Sequence, residues 1–325
     1  MSRSELPQGQ PAAPPAVPVI HDAGIVAGDR LSDGLVKALQ EITERPVTRA
    51  ADADALDAAR LIYVGARLPE NLRDERLLWC HSVNAGVDGL LGDGRWPAGV
   101  LLTRTVGRMA ERIAQYVLGW ILAEAQNVPA FLGQHRTRTW QVLPTELVSG
   151  QCAVVFGVGQ IGAVVCDLLR RCGIRTIGVA SRDREVRGCD RVITADQAHE
   201  VLPQARWVIS TLPLTPTTRG MFDREMFASM KGATFINVGR GATVEGTALA
   251  SALADETVRG AVLDVLAEEP ADPQSACWDL PRTVVTSHSS GITHDEDVAS
   301  DFATCWEAVR NGQLPELTAF PTRGY

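Results

Sequence analysis

Apolar residues in this chain alternate between two patterns: short unbroken runs of three to six, and stretches where they recur every third or fourth position. Those are the signatures of buried strands and of helices with one apolar face. Between residues 19 and 101, runs at 24–26, 61–65 and 77–82 are separated by helical or polar segments, which predicts a smaller α/β domain. Met109, Ile113, Tyr116, Val117, Trp120 and Ile121 then recur at helical spacing, and no charge interrupts 116–123. This predicts a long helix, ended by Pro129 and buried between domains or subunits. Six more apolar runs follow, at 153–156, 176–180, 207–211, 233–238, 260–263 and 283–286. Strands that read as continuous apolar runs are covered on both faces, so a doubly wound parallel sheet is expected.

The run at 153–156 ends in Gly157, Gly159 and Gly162, followed by Val164, Val165, Leu168 and Leu169 at helical spacing. Strand, glycine turn and helix in that order form a dinucleotide fingerprint. The first glycine permits the turn, the second lets the backbone approach a pyrophosphate, and the third lets the helix pack closely on the strand. The alternative is an ordinary glycine turn.

The end of the next strand bears on which cofactor is bound. An NAD site usually has a carboxylate there for the ribose hydroxyls. Here the chain reads Val179, Ala180, Ser181, Arg182. A hydroxyl and a planar guanidinium suit a 2'-phosphate, which favours NADP(H) and leaves NAD(H) possible. The competing reading makes Arg182 a solvated charge and puts Asp183, one register along, on the ribose.

The 325 residues suffice for two domains. A net charge of -8 gives no general field for nucleic acid or anionic membrane. The seven cysteines contain no CxxC pair, which points to free thiols, a reducing cytoplasmic setting and no metal site. Residues 1–17 read as a flexible, proline-rich tail, and no segment is apolar and long enough to span a bilayer.

Several ordered motifs, NAGVDGL (84–90), VFGVGQIG (155–162), STLPLTPTTRG (210–220), INVGRGATV (236–244), AVLDVLAEEP (261–270), TSHSSG (286–291) and the terminal RGY, resemble the D-isomer-specific 2-hydroxyacid dehydrogenases. The likeness is greatest to their glyoxylate/hydroxypyruvate reductase branch. The resemblance implies a Rossmann domain over 104–289, inserted into a smaller flavodoxin-like α/β substrate domain made of 18–103 and 290–325. It also implies a homodimer acting on a small 2-oxo acid, and the charge and the lack of an apolar span speak against a nucleic acid or membrane partner.

Position by position, the family's catalytic arginine, glutamate and histidine fall on Arg240, Glu269 and His288. Reducing a 2-oxo acid needs a hydride at the carbonyl carbon, a proton for its oxygen and a cation for the carboxylate. A histidine beside a carboxylate suits the proton, and a permanently charged fork suits the carboxylate. The resemblance places Asn84, Ala85, Gly86 and Val87 on the substrate through their backbone amides. The fingerprint and the strand end put Gly157, Gly159, Gln160, Ile161, Ser181 and Arg182 on the cofactor, and the resemblance adds Leu212, Pro213, Thr217, Val238, Asp264 and Ser290. Asp264 could hold the nicotinamide carboxamide or merely cap the following turn. The family's usual TPH is TSH here, so Ser287 loosens one turn. Taken singly, each charged residue also has an ordinary surface or capping role. A cofactor-sensing binding protein on the same fold is the non-enzymatic alternative.

Overall fold

The computed structural model describes residues 15–55, 58–91 and 96–320. Most of the expected tail, and the terminal RGY at 323–325, lie outside them. In chain order the elements are β1 (Gly24–Ala27), α1 (Asp33–Thr43), β2 (Val47–Arg49), β3 (Leu61–Gly65), β4 (Leu77–Ser82), α2 (Asp88–Leu91), β5 (Leu101–Arg104), α3 (Met109–Ala125), α4 (Val128–Thr137) and β6 (Cys152–Phe156). These are followed by α5 (Gln160–Arg171), β7 (Arg175–Ala180), β8 (Arg191–Thr194), α6 (Ala198–Val201), β9 (Trp207–Ser210), α7 (Arg224–Ala228), β10 (Ala233–Asn237), α8 (Gly246–Ala254), β11 (Val258–Leu263), β12 (Thr283–Val285) and α9 (Asp295–Arg310).

The chain divides into two compact units, one of Met1–Gly107 with Thr293–Tyr325 and the other of Arg108–Ile292. In the first, five parallel strands run in the order β2-β1-β3-β4-β5, the flavodoxin-like arrangement. Its core joins Ile25, Ile62 and Trp79 of the sheet to Leu35 and Leu39 of α1 and to Phe302 and Trp306 of α9. The Trp79 and Phe302 rings stack 5.2 Å apart, which is how the last helix is bound to strands more than 200 residues earlier. His81 of β4 has no exposed surface, and its two ring nitrogens meet the hydroxyls of Thr103 and Thr105 at 2.7 and 3.0 Å. Burial lowers its pKa to about 3, so it serves this core as a neutral, hydrogen-bonded group.

The second unit carries seven parallel strands in the order β12-β11-β10-β9-β6-β7-β8. The chain reverses its direction across the sheet between β6 and β9. In a doubly wound sheet, ligands bind outside the carboxyl ends of the strands at such a switch point. Phe156, Phe222 and Phe235 fill one side of this sheet, with adjacent ring centres 4.9 Å apart. Burying each such side chain stabilises by about 1.5–3 kcal/mol.

Three strands escaped the apolar pattern: β2, β5 and β8 are three or four residues long, and each carries an arginine at one end. Pro129 also has a different role from the one expected. α3 stops at Ala125, Asn127 takes a left-handed conformation (φ 54°), and Pro129 falls in the first turn of α4, where its missing N–H costs no hydrogen bond. α3 buries Ile113, Val117 and Ile121 and packs on α5 within the same unit.

Candidate active site

The site is assembled in the second unit from the loops that leave the carboxyl ends of β6, β7, β9, β10, β11 and β12. Close backbone approaches link these loops. Gly157 (φ 93°) donates its N–H to Val179 O at 2.9 Å, and Thr211 Oγ1 donates to Gly157 O at 2.7 Å. A Cβ on Gly162 would lie 2.5 Å from Gly157 O, so only glycine lets α5 start this close to its strand. Further across the sheet, a Cβ on Gly241 would lie 1.9 Å from the carbonyl carbon of Leu266, which brings the loop of Arg240 against the loop that leads to Glu269.

Gly159 is the N-cap of α5, no side chain caps the helix, and the space beside its Cα is open. Gln160 and Ile161 form the first turn. A helix N-terminus that is uncapped, unobstructed and preceded by a glycine turn fits the pyrophosphate of a dinucleotide. Ser181, Arg182 and Asp183 are all exposed on the loop after β7. In that loop Arg184, which the strand-end reading passed over, donates from Nη2 to Val158 O at 2.9 Å and so fastens the loop to the glycine turn. Beyond β9, Leu212 is buried and Pro213 half-buried. Pro213 O accepts the hydroxyl of Thr218 at 2.6 Å, while Thr217 is exposed beside Thr215.

Past β10, Val238 is buried and Arg240 half-buried. The arginine's backbone is pinned: its carbonyl accepts Thr243 Oγ1 at 2.6 Å and Asn237 Nδ2 at 3.3 Å, while its Nη1 donates to Gly239 O at 2.8 Å.

Glu269 and His288 meet directly. Glu269 Oε2 lies 2.8 Å from His288 Nδ1, and its other oxygen accepts Leu266 N at 2.8 Å. Their side chains are 36% and 51% exposed, so solutes can reach the imidazole. A carboxylate at Nδ1 fixes a proton there and turns Nε2 outward.

The histidine sits in a left-handed conformation, φ 53°, which costs a non-glycine residue about 1–2 kcal/mol. Asp264, 1% exposed, holds it there. The Asp264 carbonyl accepts His288 N at 2.8 Å, and its carboxylate accepts Thr286 Oγ1 (2.6 Å), Ser289 N (2.8 Å) and Ser290 N (3.1 Å). These contacts are those of a turn cap. Because Thr286 donates to Asp264, the Tyr116 hydroxyl, 2.7 Å away on α3, must donate to Thr286. Burial raises the Tyr116 phenol to about 12, so that donor keeps its proton. Neither Thr286 nor Tyr116 was among the residues expected from sequence. Only the folded chain brings them together, across 170 positions.

In the first unit, the segment after β4 places Asn84 on the surface, with Ala85 and Val87 buried and Gly86 half-buried. Asn84 N donates to Ser82 Oγ at 3.1 Å, and Arg104 Nη1 donates to Ala85 O at 3.2 Å. Among the described residues no group of His, Cys, Asp and Glu forms a metal site, and no helix is long and apolar enough to cross a membrane.

Residues 118–290 match the profile of the D-isomer specific 2-hydroxyacid dehydrogenase, NAD binding domain. A protein of Streptomyces coelicolor, known only as an uncharacterized protein in the mprR 3' region, is 50% identical over 277 residues, covering 85% of this chain and 99% of its own. Glyoxylate/hydroxypyruvate reductase A of Serratia proteamaculans is 28% identical, over 77% of this chain and 82% of its own. Among solved structures, the NADPH-dependent glyoxylate/hydroxypyruvate reductase of Sinorhizobium meliloti, in complex with NADP and sulfate, superposes with a TM-score of 0.82 at 25% identity, covering 93% of this chain and all of that one.

Proposed function

The chain belongs to the D-isomer specific 2-hydroxyacid dehydrogenase family, an oxidoreductase family, and from that membership we propose that it is an NADPH-dependent reductase of small 2-oxo acids of the glyoxylate and hydroxypyruvate kind, yielding the D-2-hydroxy acid. The observation that carries this reading is the contact of Glu269 with His288 in the same row of strand ends as an uncapped dinucleotide fingerprint.

When bound, the nicotinamide supplies the hydride. Gly157, Gly159, Gln160 and Ile161 hold the pyrophosphate, and Ser181 and Arg182 hold the 2'-phosphate. Leu212, Pro213, Thr217, Val238, Asp264 and Ser290 flank the rest of the cofactor, Asp264 and Ser290 chiefly through the turn that they build. Arg240 grips the substrate carboxylate and polarises the ketone, and His288 donates its Nε2 proton to the ketone oxygen. Glu269 keeps the ring oriented and stabilises its charged form. The amides of Asn84, Ala85, Gly86 and Val87 act as a further anion-holding loop.

The test is the fall in NADPH absorbance on adding glyoxylate or hydroxypyruvate, repeated with NADH. Arg182→Ala should weaken NADPH ten- to a hundredfold, the effect of one charge-assisted contact of about 1.5–3 kcal/mol, and leave NADH nearly unchanged. Equal losses for both cofactors would move the ribose contact to Asp183. Binding of NADPH without turnover of any 2-oxo acid would favour the cofactor-sensing protein instead.

We further propose a homodimer. α4 buries none of its residues, and Phe131, Leu132, Trp140, Val142 and Leu147 are 40, 55, 99, 88 and 85% exposed. A groove of about 730 Å3 runs beside them, lined by Tyr116, Trp120, Val128 and Leu132. So many exposed large apolar side chains within one segment are unusual on a monomer, and a second copy presenting the same arm would cover them with two-fold symmetry. Sedimentation equilibrium should give twice 34.9 kDa for the wild type and a shift toward monomer for Trp140→Glu. A monomer at tens of micromolar wild-type protein would sink the idea.

A further inference from the structure

Away from the strand ends, Cys166 on the buried face of α5 and Cys189, on the segment that leads into β8, lie close enough for each thiol to shift the ionisation of the other. That segment is laid tightly on the helix. Gly188 has φ 95°, and a Cβ there would come within 2.8 Å of Ala163 O and 2.9 Å of Asp167 N, residues on either side of Cys166. The Cys189 sulfur points inward, 3.1 Å from where a Cβ on Gly178 of β7 would stand, and the segment is held to β7 by Thr176 N donating to Asp190 Oδ2 at 2.8 Å. Cys166 has no exposed surface, whereas Cys189 is half-buried.

The two thiols are unequal. The contact with Cys166, helped by the nearby Arg170 and Arg184 guanidiniums, lowers the pKa of the Cys189 thiol against its partial burial and the adjacent Asp190 carboxylate. The same contact, with burial, pushes Cys166 up and keeps it protonated. A half-buried thiol with a lowered pKa beside a protonated partner is the arrangement found where thiols are oxidised selectively.

We propose that Cys189 and Cys166 form a nucleophile and resolving-thiol pair, a modification site where a hydroperoxide converts the two thiols to a disulfide tying α5 to the segment before β8. The Cys189 thiolate attacks one peroxide oxygen: an S–O bond forms, the O–O bond breaks, and the departing hydroxide or alkoxide takes up a proton. The Cys166 sulfur then attacks Cys189: the S–S bond forms, the S–O bond breaks, and hydroxide leaves as water with the Cys166 proton. The thiols lose two electrons, and the peroxide gains them. The crosslink joins α5, whose first turn follows the glycine loop, to the segment that begins with Arg182 and Arg184.

The pair is independent of the proposed reaction, because thiols are counted without substrate or cofactor. Full-length reduced protein is treated with hydrogen peroxide, denatured and titrated with Ellman's reagent. The titre should fall from seven thiols to five, return to seven with dithiothreitol, and peptide mass spectrometry should find Cys166 joined to Cys189. Cys189→Ser should start at six and stay there. In Cys166→Ala the sulfenic acid should persist at Cys189 and be trapped by dimedone. Disulfides between other cysteines, an undiminished titre of seven in wild type, or a two-thiol loss in Cys189→Ser would each overturn the assignment.

Discussion

Replacing His288 with alanine is expected to lower kcat for 2-oxo acid reduction by about two to four orders of magnitude, the usual cost of removing a positioned general acid. Little else should change. The main-chain N–H of residue 288 would still donate to Asp264 O, as it does now at 2.8 Å, and Glu269 would keep its bond from Leu266 N. The loop therefore holds its course, and NADPH affinity, read by fluorescence titration, should stay within about twofold because the glycine turn and the β7 loop are untouched. Near-native turnover in the variant would mean that the proton comes from another group. A loss of NADPH binding in parallel with kcat would mean that His288 shapes the cofactor site rather than delivering a proton.

What the sequence made legible follows from range and period. Central strands such as β6 and β9 are wholly buried, so their apolar runs stand out, and the glycine spacing after β6 marks a local turn that any reader of the chain can find. Family motifs located Arg240, Glu269 and His288 on three separate loops. The Glu269 and His288 contact spans only 19 positions but depends on how two loops fold back from neighbouring strands, which no periodicity encodes. Asp264 shows the limit most clearly. Its two candidate roles could not be separated from the chain alone, because the donors that fill its carboxylate belong to Thr286, Ser289 and Ser290, aligned only once His288 adopts a left-handed backbone. The turn of the TSH sequence is held by the Thr286 hydroxyl, the buried Asp264 carboxylate and the Tyr116 hydroxyl. Arg184 was missed for a related reason. Its partner is a backbone carbonyl in the glycine turn, 26 residues earlier, and backbone carbonyls leave no mark in a sequence.

Arg240→Lys should reduce kcat/KM for glyoxylate by about a hundred- to a thousandfold, with KM raised and kcat lowered together. The lysine keeps the charge, so the loss measures geometry: in the proposed role one guanidinium presents donors to both the substrate carboxylate and the ketone oxygen, and an ammonium on a flexible stem cannot serve both. Each charge-assisted hydrogen bond contributes about 1.5–3 kcal/mol, and losing the second contact along with part of the first gives the stated range. The backbone around the residue should not register the change, since Thr243 and Asn237 hold its carbonyl rather than its side chain. The side chain's own bond, Nη1 to Gly239 O at 2.8 Å, shows that the guanidinium is partly braced before substrate arrives, an orientation lysine would have to establish anew in each encounter. The signature is therefore kinetic. A raised KM with unchanged kcat would mean that Arg240 binds the carboxylate in ground state and transition state alike and does not polarise the ketone. A lowered Tm with unchanged kinetics would make it a turn residue, and the polarising cation would then have to be sought elsewhere in the site.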